Sequence, residues 1–268
     1  MDEYRRVNQG LWDEWTRINA GSRLYDLPSF KTGRSSLHAL EVAEVGDVQG
    51  KTLLHLQCHF GMDTLSWARR GAQVTGIDFS TEAIGLASSL AQELNLPARF
   101  IQSDLYDLPQ RLNETFDLVF TSYGVLTWLN DIPRWAQIAA SFVKPGGTFY
   151  IAEFHPTAYM YSDEKDGWVL ETGYFNDGVT SWPVVGSYAD SSAVVQTKTC
   201  YEWNYPLGTV VSSLIDAGLA IEFLHEFDYC TYPQLKFLVP GEDGLYRPPP
   251  GMPRLPLIFS LRARKPIP

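Results

Sequence analysis

The chain has 268 residues, 45% of them hydrophobic and 19% charged, which suits one large globular domain and excludes a disordered chain. Its formal net charge is −10, and the densest basic run, Arg262, Arg264 and Lys265, alternates like the exposed face of a final strand; a nucleic-acid partner is therefore not expected. Three widely separated cysteines (Cys58, Cys200, Cys230) argue against a disulfide framework or a metal site, and no leader or apolar run of about 18 residues is visible, so a cytoplasmic protein with no membrane partner is expected.

Residues 1–50 read as an N-terminal helical cap, polar with interspersed Trp12, Trp15, Tyr25 and Phe30 and closed by a helix over 35–45. From 51 to 155 the pattern alternates. Strands are predicted at 51–58, 73–78, 99–102, 116–121 and 148–153, and helices at 61–70 and 132–143. A further helix is N-capped by Ser80, carries Ile84, Ala87, Leu90, Ala91 and Leu94 on one face, and ends before Pro97. Strands separated by helices of about 10–15 residues imply βαβ units and a parallel sheet covered on both faces. In such a sheet ligands bind in the crevice outside the carboxyl ends of the strands, so strand-ending residues are the first candidates for function.

Over 156–200 the alternation fails. Positions 159–205 carry ten aromatics in 47 residues, or 21% against 13% for the whole chain, which reads as an insertion that covers the sheet. Those aromatics suit either an apolar or a cation-binding pocket, or a small core of the insertion's own. Residues 201–268 then supply a last helix, closed by Gly218, and two edge strands near 221–229 and 257–263.

The first strand and turn read His55-Leu56-Gln57-Cys58-His59-Phe60-Gly61, and Asp78 ends the second strand 17 residues after Gly61. A tight turn brings backbone N–H groups and a helix N-terminus toward a ligand, and an acidic group at the next strand end accepts hydrogen bonds from ribose hydroxyls. Ser103-Asp104-Leu105 places a second carboxylate after the third strand.

Together with Gly76-Ile77-Asp78-Phe79-Ser80, Phe116-Asp117-Leu118-Val119 and Lys144-Pro145-Gly146-Gly147, this ensemble resembles the class I methyltransferase family over about residues 50–155. The resemblance implies an α/β fold: one domain with a doubly wound, mostly parallel seven-stranded Rossmann-like sheet and an inserted lid (156–200) before the last two strands. It implies S-adenosyl-L-methionine as cofactor, held by the loop Gln57, Cys58, His59 and Gly61, with Asp78 on the ribose and Asp104 at the adenine amine. Phe79 and Leu105 would sandwich the adenine, Ser80 would join Asp78 and Phe79 in binding the cofactor, and Ser122 or Tyr123 would hold the methionine moiety. The chain departs from the family's Gly-rich first loop, keeping only Gly61 where Gln57 and His59 take the places of glycines. Those side chains would also crowd a pyrophosphate, which weakens the rival reading of a nicotinamide-dependent oxidoreductase.

Methyl transfer needs an aligned nucleophile, exclusion of water and, for some acceptors, a base. The end of the fifth strand offers Glu153 and His155, the latter with an ordinary pKa near 6.5, and Tyr123 joins them as a catalytic candidate. Trp128, Trp203 and Tyr174 are the substrate-pocket candidates, and no metal is expected. The expected activity is methylation of an O, N, S or C nucleophile of a small metabolite. A cofactor-binding regulatory protein without catalysis stands as the other alternative, and the oligomeric state is left open.

Overall fold

The computed structural model describes residues 2–175 and 178–268. Helix α1 (Glu3–Gly21) is capped by Asp2, whose side chain accepts the Arg5 amide; α2 (Leu27–Lys31) and α3 (Ala39–Val45) follow. Helix α3 begins four residues later than the sequence pattern suggested. The backbone N–H of Ser36 donates to Ser66 and its hydroxyl to Asp63, which ties 35–38 down as extended chain on the next helix.

The alternating region follows in order: β1 (Thr52–Leu56), α4 (Met62–Arg69), β2 (Gln73–Asp78), α5 (Thr81–Glu93), β3 (Ala98–Gln102), β4 (Phe116–Ser122), α6 (Ile132–Phe142) and β5 (Val143–Phe154). Beyond it lie a short hairpin of β6 (Thr180–Pro183) and β7 (Thr199–Glu202), helix α7 (Leu207–Asp216), β8 (Ala220–Phe227), the two-residue strands β9 (Val239–Pro240) and β10 (Tyr246–Arg247), and β11 (Ile258–Arg264).

Seven strands form one sheet in the order β3-β2-β1-β4-β5-β11-β8. The first five are mutually parallel; β11 pairs antiparallel with β5 on one side and with β8 on the other. The last strand is thus interior, and β8 is the edge. Alternate residues on each strand face opposite sides. Leu54, Leu56, Val119 and Ile151 meet α6 and α7 on one face, while Leu53, Val74, Leu118 and Phe120 meet Trp67 of α4 on the other. Both faces are buried, as a parallel sheet requires. The C-terminal basic run is neutralised locally, because Arg262 and Arg264 both pair with Glu222 of the edge strand.

Two chain segments, not one, cover the carboxyl end of the sheet. Segment 155–206 packs on α1: Asn8 exchanges side-chain hydrogen bonds with the Tyr201 backbone, Trp15 Nε1 donates to the Gly186 carbonyl, and Glu14 accepts the Thr197 amide and hydroxyl. The second, 228–257, has no counterpart among the sequence expectations. It joins the end of β5 through Cys230, Leu235, Leu238 and Leu257 packed on Phe154 and Ala158. Among the described residues, no helix is long and apolar enough to cross a membrane, and no group of His, Cys, Asp and Glu could hold a metal ion.

Candidate functional site

The carboxyl ends of β1, β2, β3 and β4 open onto a cavity of about 430 Å³. At its base runs the turn after β1. The Cys58 amide donates to Ile77 O at 2.8 Å, fixing the turn to β2, and the backbone then takes positive φ at three places: Gln57 (56°), His59 (51°) and Gly61 (80°). Left-handed backbone disfavours side chains by about 1–2 kcal/mol per residue. Gln57 and His59 therefore hold the conformation that glycines usually supply, under strain. At Gly61 no side chain fits: a Cβ there would lie 2.8 Å from the Phe100 ring and 2.9 Å from Ala87.

Both large side chains pack on neighbouring segments, and each keeps one buried polar atom without a partner. Gln57 Nε2 donates to Val125 O at 3.0 Å, linking this turn to the loop after β4. The His59 ring packs against Phe60 (4.3 Å between centroids), Trp12 (5.1 Å) and Tyr25 (5.4 Å). Its Nε2 is buried with no hydrogen-bond partner, and burial lowers its pKa to about 3.

Asp78 ends β2 and is 7% exposed. Its Oδ2 accepts the His59 amide (2.8 Å) and its Oδ1 accepts the Ser80 amide (2.9 Å). Asp78 lines the cavity, and a carboxylate there can accept further hydrogen bonds from hydroxyl donors such as those of a vicinal diol. Burial raises the Asp78 pKa to about 6, against the lowering effect of those amides. Asp104 lines the same cavity. Its Oδ1 accepts the Tyr106 amide at 2.8 Å and its Oδ2 pairs with Arg5 Nη1 at 3.0 Å, so α1 is clamped onto the third strand's exit. Phe79 and Leu105 flank these two carboxylates on the cavity wall.

The end of β4 contributes Ser122 and Tyr123, the latter at φ 34°. Ser122 Oγ and Ser36 Oγ both donate to Asp63, at 3.3 and 2.5 Å, bringing a carboxylate of α4 to the cavity that the sequence pattern did not single out. His55 reaches the same wall with its Nδ1 2.8 Å from Thr64 Oγ1, and burial lowers its pKa to about 4, so it is neutral at pH 7.

Aromatic rings close the other side. Trp128 lies 5.3 Å from Trp12 and 5.9 Å from Trp15; Trp15 lies 5.6 Å from Tyr188, and Tyr188 lies 6.3 Å from Tyr232. Tyr188 is the junction. Its hydroxyl is 2.5 Å from that of Tyr25 and accepts from Asn19 Nδ2, while its ring remains exposed to the cavity. Tyr159 and Tyr188 come from the aromatic-rich insertion expected to form either a pocket or a core of its own, whereas Tyr25, Tyr232, Arg5, Asp63 and Glu202 are among the lining residues that sequence reasoning missed. They lie on segments brought to the site only by long-range packing, and nothing local marks them.

Five of the expected site residues lie elsewhere. Glu153 is buried beneath the loop after β4, where its carboxylate accepts the amides of Gly124, Val125 (2.7 Å), Leu126 (3.0 Å) and Phe154 (2.6 Å). Four amide donors leave it a loop anchor. His155 is 3% exposed, with Nδ1 2.9 Å from Thr157 Oγ1 and Nε2 2.9 Å from Glu226 of β8; it faces the sheet's edge, away from the cavity. Ser80 caps α5 and donates to Asp13. Tyr174 accepts the Leu207 amide through its hydroxyl, and Trp203 packs on Tyr4 with its own amide bonded to Thr127 O. None of the five lines the cavity.

Residues 53–147 match the family model described as a methyltransferase domain. Among curated proteins, the chain is 31% identical to the ubiquinone biosynthesis O-methyltransferase of Photorhabdus laumondii over 40% of this chain and 44% of that one. With the corresponding protein of a Methylobacterium species it is 26% identical over 80% of this chain and 92% of that one. The chain spans about half the length of the first curated relatives it matches. Its fold is shared with an S-adenosylmethionine dependent methyltransferase from Mesorhizobium loti, with a TM-score of 0.58 and 20% identity over 87% of this chain and 99% of that one. A methyltransferase from Clostridium acetobutylicum gives a TM-score of 0.56 at 14% identity, over 96% of each chain.

Proposed function

We propose that this chain is a class I, Rossmann-like methyltransferase that binds S-adenosyl-L-methionine and methylates an O, N, S or C nucleophile of a small molecule in the same cavity, a reading supported by the methyltransferase-domain match over residues 53–147 and by the shared fold. One observation carries the reading: Asp78 and Asp104, at neighbouring strand ends, line a single cavity together with the Gln57–Gly61 turn.

The residues present fit the cofactor's chemistry. The free acceptor positions of Asp78 match two ribose hydroxyls, whose hydrogen bonds would offset the burial of that carboxylate. Phe79 and Leu105 offer apolar faces for a purine, and Asp104, held by Arg5, can accept from its exocyclic amine. Ser122, Asp63 and the turn after β1 remain for the methionine end. When bound, the cofactor supplies a methyl group on a sulfonium, already activated for in-line displacement. The protein's share is to fix the geometry and keep water out, which the Trp12, Trp15, Trp128 and Tyr188 rings do by packing edge to face over the cavity.

The test is calorimetric titration with S-adenosylhomocysteine alongside NAD(H). One site for the thioether and none for the dinucleotide is the expected result. A protein that takes up NAD(H) and ignores S-adenosylhomocysteine would overturn the reading.

A further inference from the structure

Four carboxylates line the cavity among the described residues: Asp63, Asp78, Asp104 and Glu202. Three have their partners on the page. Asp63 accepts two serine hydroxyls, Asp78 two backbone amides, and Asp104 a backbone amide and the Arg5 guanidinium. Glu202 differs. It ends β7, on the strand paired with β6, and has no ion-pair partner among the described residues.

Its surroundings in the cavity are aromatic. Tyr159 and Tyr232 line the same cavity as Glu202, beside Phe154, whose ring lies 5.2 Å from Tyr232 and 6.5 Å from Tyr159. The cavity's two arginines are already engaged, Arg5 by Asp2 and Asp104 and Arg34 by Asp26. Its histidines include His55 and His59, both held neutral by burial. A carboxylate without a cation, in a cavity shared with aromatic rings, favours a cationic group and repels an anionic one.

We propose that Glu202, with the faces of Tyr159 and Tyr232, holds an ammonium group of the methyl acceptor, so that the acceptor is an amine-bearing small molecule and not a carboxylic acid or phosphate ester. This rests on the methyl-transfer reading only for naming the ligand an acceptor; the cation site stands on its own geometry.

The protonation of Glu202 gives the site a pH signature. Burial first, and the charge of Asp163 second, raise its pKa to about 7, opposed by the Trp182 hydrogen bond. The groups facing it are Asp163 from the loop before Trp168, neutral Tyr159 and Tyr232, Trp182 from β6 and the Cys200 thiol of its own strand, which burial pushes up to about 12. Below about pH 7 the carboxylate becomes neutral and its hold on a cation weakens.

The probes are 2-phenylethylamine and its uncharged isostere 2-phenylethanol, titrated into the protein with and without S-adenosylhomocysteine at about pH 8. The amine is expected to bind at least about tenfold more tightly than the alcohol. Glu202→Gln, which keeps the side chain's shape, is expected to bring the two within about twofold while leaving S-adenosylhomocysteine affinity unchanged. In the wild-type protein, independently of any variant, the preference is expected to fall as pH drops through about 7 and the alcohol's affinity to stay flat. Equal binding of the two probes, binding of neither, or a preference that survives Glu202→Gln or acidification overturns the proposal. An amine preference without S-adenosylhomocysteine binding leaves Glu202 as a cation site and sinks only the methyl-transfer reading.

Discussion

The two halves of the cavity are built on different principles. The half at the ends of β1, β2 and β3 is made of short-range backbone geometry: Asp78 sits two residues from one amide it accepts and 19 from the other, and Asp104 two residues from its own. The covering half is made of side chains from 3–25, 159–206 and 228–257, joined by contacts such as Trp15 to Gly186 (171 residues apart) and Asn8 to Tyr201 (193 apart). The first half places backbone-anchored carboxylates; the second places rings, with Glu202 among them. Disturbing the second should therefore alter stability and closure, and disturbing the first should alter affinity with the fold intact.

The largest expected effect breaks the covering half. Trp15 is 8% exposed, packs on Trp12, Trp128 and Tyr188, and donates its indole N–H to Gly186. Trp15→Ala is expected to cost about 3–5 kcal/mol in denaturant unfolding, the range for a buried large-to-small change. A loss below about 1 kcal/mol would mean that the segment and α1 are held together by something other than these rings.

Next comes the polar half. Asp78→Ala is expected to weaken S-adenosylhomocysteine binding by roughly 1.5–3 kcal/mol, the scale of lost charged hydrogen bonds, with little change in unfolding. The pH dependence has a definite sign. With its pKa raised to about 6, Asp78 favours the fold most below its ordinary 3.8, and that contribution is lost as pH rises through 6. Ligand affinity runs the other way, falling as pH drops below about 6 because a protonated carboxyl has fewer acceptor positions for the ribose. Asp78→Asn should flatten that profile in calorimetry; a profile unchanged by the substitution removes Asp78 from the site.

A smaller effect separates the two halves within one loop. Gln57 pays for its side chain with left-handed backbone at φ 56° and recovers part through the bond to Val125 O. Gln57→Gly is expected to stay within about 1 kcal/mol of wild type, whereas Gln57→Val, β-branched in left-handed backbone, is expected to cost about 2 kcal/mol. Thermal unfolding of the pair checks this. Equal stability of the two variants would show that the turn relaxes out of its left-handed form.

How much of this was legible follows the same division. The five alternating strands, the turn after β1 and the two strand-ending aspartates were readable because period-2 and period-3.6 patterns and strand-end spacing are local signals, whereas the place of the last strand inside the sheet was not. Gln57 and His59 were visible as departures from a glycine-rich loop, yet the sequence could not show that they keep its positive φ. Tyr188 was readable only as one of ten insertion aromatics that suit a pocket or a core, and Tyr232 and Glu202 were invisible as site residues, because an aromatic or acidic residue in an irregular segment carries no period that says which way it faces. The segment 228–257 was missed for the same reason. Glu153 and His155 show the opposite failure. A strand-end position was taken to imply exposure to the crevice, but side chains alternate and loops turn back: Glu153 was drawn under Gly124–Leu126 and His155 toward Glu226.

The smallest expected effect on turnover tests that correction. His155 contacts Thr157 and Glu226, and its amide bonds to Leu257 O, so it joins the end of β5 to the β8 and β11 side of the sheet. Burial lowers its pKa, with the Glu226 charge opposing. His155→Ala is expected to reduce stability by about 1–2 kcal/mol, through a cavity and a Thr157 left with one partner fewer. Release of S-adenosylhomocysteine with a methylated acceptor should continue within about twofold of the wild-type rate. A rate loss of about a hundredfold or more, the scale of a removed general base, with unfolding unchanged would place His155 at the reacting atoms after all and show that the loop after β5 moves when the cavity fills.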